Sequence, residues 1–145
     1  MNPRISATLP CAQPCNDPAM PLSALDLVAE ARAQIVEIDL PAAQAALPHA
    51  LLLDVREPAE FDAGHLPGAI NIPRGLLEFK IGDHPQLALR DRDMLIYCKT
   101  SGRAALAALN LKRMGYVGVR SIHGGFDAWT QAGLPVERDV TQFDA

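Results

Sequence analysis

The sequence predicts an α/β domain, a five-stranded, mostly parallel sheet with helices on both faces. Two observations carry this expectation. Short apolar runs alternate with helix-patterned stretches, and strands joined through helices run parallel. Two of the runs, Leu51-Leu52-Leu53 and Met94-Leu95-Ile96-Tyr97, are apolar without alternation, as strands buried on both faces are. With 145 residues, 49% apolar and 21% charged, the chain reads as one soluble globular domain able to bury its own core.

Each element has its own signal. Residues 1–21 hold five prolines and little periodicity, the composition of a disordered tail, and Leu22 to Ala33 follows as a lead-in helix closing at residue 34. The domain proper is expected over residues 35–137, with residues 138–145 a C-terminal tail. It opens with the strand Ile35 to Ile38; Asp39 then caps a short helix, Leu40 to Ala46, with Pro41 tolerated in its first turn. After the strand at Leu51, Pro58 starts a helix that stops at Gly64. Ala69 to Ile72 is a third strand, Leu76 to Ile81 a short helix, and residues 83–93 a polar connection to the strand Met94 to Tyr97. A helix from Arg103 to Met114 ends on Lys112 and Arg113, with Gly115 beyond it; a strand Val117 to Ile122 and a helix Gly125 to Ala132, closed by Gly133 and Pro135, complete the pattern.

A net charge of −4 argues against nucleic-acid or anionic-membrane partners, and no apolar run is long enough to span a bilayer. The three cysteines, Cys11, Cys15 and Cys98, make neither a disulfide framework nor a zinc pattern, so a reducing, cytoplasmic setting is expected, without a metal or other cofactor. Cys11 and Cys15 read either as unimportant tail thiols or as resolving partners for Cys98. His49, His84 and His123 have no metal-ligand spacing.

Cys98 ends a buried strand and opens the segment Lys99-Thr100-Ser101-Gly102-Arg103, after which a helix begins. A thiol at a helix head meets unpaired N–H groups, and two cations flank it, so the anionic sulfur is favoured. The alternative is a buried core cysteine. Ligands of parallel sheets sit at the carboxyl ends of the strands. By that rule Asp54 with Arg56, Asn71 with Arg74, the Cys98 loop and His123 with Gly124 share one edge.

Leu53-Asp54-Val55-Arg56-Glu57 with Glu60-Phe61, then Gly64-His65-Leu66-Pro67-Gly68-Ala69-Ile70-Asn71-Ile72-Pro73, resembles the first signature of the rhodanese family. Tyr97-Cys98 with its loop, Gly115-Tyr116, and Gly124-Gly125-Phe126 with Trp129 resemble the catalytic half and closing segment of a single-domain rhodanese. The resemblance implies a thiosulfate sulfurtransferase cycle. Cys98 takes sulfane sulfur from thiosulfate or a persulfide donor, holds it as a persulfide, and passes it to cyanide, a thiol or a sulfur-accepting protein. Phosphatase relatives carry one residue more between Cys and Arg, so the six-residue loop from Cys98 to Arg103 favours sulfur over phosphate or arsenate. The alternatives are a Cys-dependent arsenate reductase or phosphatase, a redox sensor, and a protein-binding module.

The resemblance also assigns roles. Arg103 fixes the loop or adds positive potential behind it, and Lys99 meets an incoming donor; both have a plain reading as solvated cations. Asp54 orients loop groups, and Arg56 faces the entrance or pairs with Glu57 or Glu60. Arg74 lines the mouth beside Leu76, Leu77 and Phe79, or is plain surface. Ser101 departs from the family, where glycine is common, and Gly102 is expected to take the special backbone conformation instead. Thr100 and Ser101 donate hydroxyls to the sulfur or cap the helix. His65 pins the turn before Pro67, and Phe126 and Trp129 belong to the core.

Overall fold

The computed structural model describes residues 20–138. Both expected tails, with Cys11 and Cys15, fall outside that range except for Met20, Pro21 and Arg138. The elements are α1 (Ala24–Arg32), β1 (Val36–Ile38), α2 (Leu40–Ala46), β2 (Leu51–Asp54), α3 (Pro58–Ala63), β3 (Ile70–Asn71), α4 (Leu77–Lys80), β4 (Met94–Tyr97), α5 (Gly102–Arg113), β5 (Val119–Ile122) and α6 (Gly125–Gln131). All four strand pairings are parallel, in the order β1-β5-β4-β2-β3.

Local chemistry sets the boundaries. Ser23 accepts from the Asp26 N–H while Asp26 accepts from the Ser23 N–H, a reciprocal box that starts α1. Asp39 accepts from the Ala42 N–H at 3.0 Å and starts α2. The strand expected from Val117 begins only at Val119, because the Val117 N–H is taken by the Arg90 carbonyl. Turns of 3-10 helix, Arg74–Leu76 and Ile81–Asp83, flank α4 and shorten it. The connection before β4 is anchored by buried Leu87, whose carbonyl accepts from the Tyr116 hydroxyl at 2.8 Å.

Successive residues of β2 and β4 point to opposite faces, and both faces are apolar. Leu53, Val55, Ile96 and Cys98 join Ala104, Ala107, Ala108 and Leu111 of α5 in one core cluster. Leu52, Leu95 and Tyr97 join Ala43, Ile122 and Trp129 in the other. The small alanines let α5 lie close on the central strands. Helix α1 packs along α5, with Val28 Cγ2 3.5 Å from where a Cβ on Gly102 would stand, so the lead-in helix belongs to the same layer.

The topology creates a crevice at the site. From β2 the chain leaves toward β3, and from β4 it leaves the other way, toward β5. Neighbouring connections that diverge open a gap at the carboxyl edge. Asp54 is level with Tyr97 there, so Arg56 and Cys98 flank the same gap.

Candidate active site

Cys98 follows directly on β4 and is 1% exposed. Its sulfur accepts from the Ala104 N–H at 3.4 Å, so the first turn of α5 does face it. The carbonyls of the loop are held on the opposite side. Phe126 N–H donates to the Cys98 carbonyl at 2.8 Å and Asp127 N–H to the Lys99 carbonyl at 3.0 Å. Among the described residues, none accepts from the N–H groups of Lys99, Thr100, Ser101, Gly102 or Arg103. A loop whose carbonyls are tied outward and whose N–H groups are unpaired has the polarity of an anion cradle.

The closing glycines make that clamp possible. Gly124 and Gly125 have φ of +83° and +53°, and a Cβ on Gly125 would lie 2.4 Å from the Cys98 carbonyl oxygen and 2.6 Å from that of Thr100. Only a residue without a side chain lets α6 dock here. This corrects the expectation for Gly102, which is not among the positive-φ residues. Ser101 sits at φ −160°, outside the left-handed region that favours glycine. It holds the N-cap position of α5, but its side chain makes no capping bond.

Asp54 and Arg56 form a closed pair. Asp54 is fully buried and accepts from the Arg56 backbone N–H at 2.8 Å, from Nε at 3.1 Å and from Nη2 at 2.8 Å. Arg56 is 3% exposed; Nη2 also donates to the Gly64 carbonyl at 2.7 Å, and the guanidinium lies 4.3 Å from the centre of the Phe126 ring. Burial works against its charge, but Asp54 outweighs it and holds the guanidinium above its ordinary pKa. Arg56 therefore pairs with Asp54 rather than with Glu57 or Glu60; it is a strut between β2, α3 and α6 that also lines the open cleft beside the loop with Lys99 and Phe126. Asn71 splints the same strand end, donating to the Asp54 and Arg56 carbonyls. Burial, then the neighbouring Asp54 charge, push the Tyr97 phenol far up, so it stays protonated where it accepts from the Leu66 N–H.

The loop cations are both paired. Arg103 meets both oxygens of Glu60, at 2.8 and 3.1 Å, and Lys99 meets both oxygens of Asp127, at 3.1 and 2.8 Å. Glu60, and more weakly the Cys98 sulfur, hold the Arg103 guanidinium above its ordinary pKa, against burial. Arg74 is elsewhere. It pairs with Glu78, which also accepts from Asn110, eight residues along α5 from Gly102 and so about 12 Å down the helix axis. Its charge is met by Glu78 of α4, beside α5, and not by a group of the Cys98 loop. His65 stacks on Phe61 at 3.7 Å and bonds the Phe61 carbonyl through Nδ1, which pins the turn. His123 is exposed at the carboxyl edge, 3.5 Å from Glu37.

A family profile for the rhodanese-like domain matches residues 39–132. The chain belongs to the rhodanese-like family. A sulfurtransferase of Allochromatium vinosum is 37% identical over 86 residues, which are 59% of this chain and 77% of the relative. Among solved structures, a Rhodopseudomonas palustris protein of unknown function, described as a possible tyrosine phosphatase, matches with a TM-score of 0.73 and 32% identity over 81% of this chain and 99% of its own. A human single-domain sulfurtransferase matches with a TM-score of 0.60 and 27% identity, covering 66% of this chain and 95% of that one. The five-stranded α/β sheet, here parallel throughout, is the architecture these rhodanese-like structures share.

Three residues of this rhodanese-like domain stand at the site without having been singled out by their own chemistry. Gly125 and Asp127 carry the clamp from α6, and Glu60 grips Arg103. Consecutive glycines before a helix were the available signal for the first; the carboxylates are joined to their cations only by the fold. The Glu60 pair also has a pH signature. Its bond to Arg103 lowers the Glu60 carboxyl from 4.5 to about 2. A lowered acid stabilises the fold above its unfolded value and loses that contribution as pH falls through the folded one. Glu60→Gln is expected to cost about 1 kcal/mol at neutral pH. Urea unfolding of both proteins should give a constant difference above pH 4.5 that vanishes towards about pH 2. A difference independent of pH would mean that the charge of Glu60 is not what holds Arg103.

Proposed function

We propose that the protein is a sulfurtransferase that carries sulfane sulfur on Cys98. The thiolate attacks the outer sulfur of thiosulfate or of a persulfide R–S–SH; a new S–S bond forms on Cys98, the donor S–S bond breaks, and sulfite or R–S⁻ leaves with the electron pair. The outer sulfur then passes to a nucleophile, cyanide in an assay and a thiol or a protein thiol in the cell, and the Cys98 thiolate returns. The observation that carries the reading is the loop around Cys98, with its carbonyls bonded to α6 and the Ala104 N–H on the sulfur. Such a cradle stabilises a sulfur anion both as attacking thiolate and as bound persulfide. Lys99, Thr100, Ser101, Gly102 and Arg103 form the cradle, and Asp54 with Arg56 props it from beneath. Membership of a family with named sulfurtransferases supports the same reading. A free thiol as nucleophile suits a reducing, cytoplasmic setting.

The test is to incubate the protein with thiosulfate or with cysteine persulfide, remove the excess, and weigh it intact. The expected result is a gain of one sulfur that cyanide removes. No gain with either donor overturns the reading. A second reading, Cys-dependent phosphatase or arsenate reductase, draws on the likeness to the possible tyrosine phosphatase. The six-residue loop weighs against it, and hydrolysis of an aryl phosphate or reduction of arsenate without sulfur loading would establish it instead.

A further inference from the structure

The positive groups around Cys98 are all compensated. Arg56 is bonded to Asp54, Arg103 to Glu60 and Lys99 to Asp127, each through two or more contacts of 3.1 Å or less. Three cations and three carboxylates leave no net charge. Two of the carboxylates, Glu60 and Asp127, line with Arg56, Lys99 and Phe126 one open cleft of about 330 Å³ beside the loop. An anion entering there meets two cations and two carboxylates together.

We propose that Asp127 is a specificity-determining residue that turns the Cys98 site away from dianionic thiosulfate and towards persulfides carrying one negative charge or none. The inference rests on the sulfurtransferase reading above and names its donor class. Thiosulfate brings two negative charges that Lys99 would have to attract, yet Asp127 holds the Lys99 ammonium with both oxygens. For a dianion the cleft is therefore neutral at long range and repulsive on its acidic rim. A persulfide on an organic thiol feels half that repulsion or none, and its carbon skeleton can lie on Phe126 and Ala63 of the same cleft. Both donors deliver one sulfur to Cys98; they differ in the leaving group, sulfite against a thiolate, and in the charge they carry in.

The experiment measures second-order rate constants for sulfur loading of Cys98 by thiosulfate and by cysteine persulfide. It compares the unaltered protein, Asp127→Asn, and the double variant Lys99→Gln with Asp127→Asn. The unaltered protein is expected to prefer cysteine persulfide. Asp127→Asn should raise the thiosulfate constant about fivefold, with less than twofold change for the persulfide, and the gain should shrink as salt rises. The double variant removes one charge of each sign and should lose the gain that Asp127→Asn brings to the thiosulfate constant. A merely structural role for Asp127 would slow both donors alike. That outcome, or an unchanged donor ratio in Asp127→Asn, overturns the proposal. Loading by neither donor in the unaltered protein overturns the sulfurtransferase reading itself.

Discussion

Gly125→Ala is expected to slow sulfur loading of Cys98 by at least about 100-fold, although the thiol is untouched. The new Cβ would fall 2.4 Å from the Cys98 carbonyl oxygen, 2.6 Å from that of Thr100 and 2.9 Å from that of Lys99, at a backbone φ of +53°. All three are main-chain atoms of the active loop, so no side chain can rotate aside. Either the loop shifts or α6 retreats, and in both cases the Phe126 and Asp127 N–H groups lose the carbonyls they hold at 2.8 and 3.0 Å. Those bonds keep the loop carbonyls away from the sulfur; released, a carbonyl can turn towards the anion and repel it. Left-handed strain and two weakened hydrogen bonds also predict a stability loss of roughly 2–4 kcal/mol. Intact-mass time courses read the first effect, with Cys98→Ser as the zero, and urea midpoints the second. Gly82→Ala is the control, since no atom lies within 4 Å of its added Cβ and its φ is not positive. Loading by Gly125→Ala at the native rate would mean that α6 does not shape the cradle.

The same glycine marks the limit of what the sequence discloses. The strand-end rule needed only local patterns, and it correctly brought Asp54, Asn71, Cys98 and His123 to one edge, because strand, turn and helix are written in neighbouring residues. The Cys98 loop was legible for the same reason. Partner choice was not, because it depends on tertiary packing. Arg56 could be set against Glu57 or Glu60 on sequence distance, but β2 ends so that Asp54, two residues back, lies under it. That frees Glu60 to take Arg103, forty-three residues away. Arg74 opens the 3-10 turn Arg74–Leu76, and its guanidinium meets Glu78 one turn on, the carboxylate that also accepts from Asn110. The sequence points to Gly102, four residues after the cysteine, whereas the crowding is created by a helix that arrives after the next strand.

Asp54→Ala is expected to destabilise the fold by about 3–5 kcal/mol, the usual cost of stranding a buried charge. Asp54 is fully buried and Arg56 3% exposed, and the carboxylate receives the guanidinium through Nε and Nη2. Without it, the guanidinium keeps the Gly64 carbonyl and the faces of Phe126 and Tyr97 as direct contacts. None of these is anionic, and burial already opposes the charge. Removing both partners is a different perturbation. Asp54→Leu with Arg56→Met leaves no buried charge, and about half or more of the lost stability should return in urea unfolding. Sulfur loading should not return with it. Arg56 is what joins the end of β2 to Gly64 after α3 and to Phe126 at the head of α6, and Phe126 is the residue whose N–H holds the Cys98 carbonyl. Methionine fills space but makes no bond to Gly64. A double variant that is stable yet slow to load sulfur would separate the two jobs of the pair, and one that recovers both would reduce the pair to packing. A loss below about 1 kcal/mol in Asp54→Ala would mean that water reaches the guanidinium, contrary to the burial on which the strut depends.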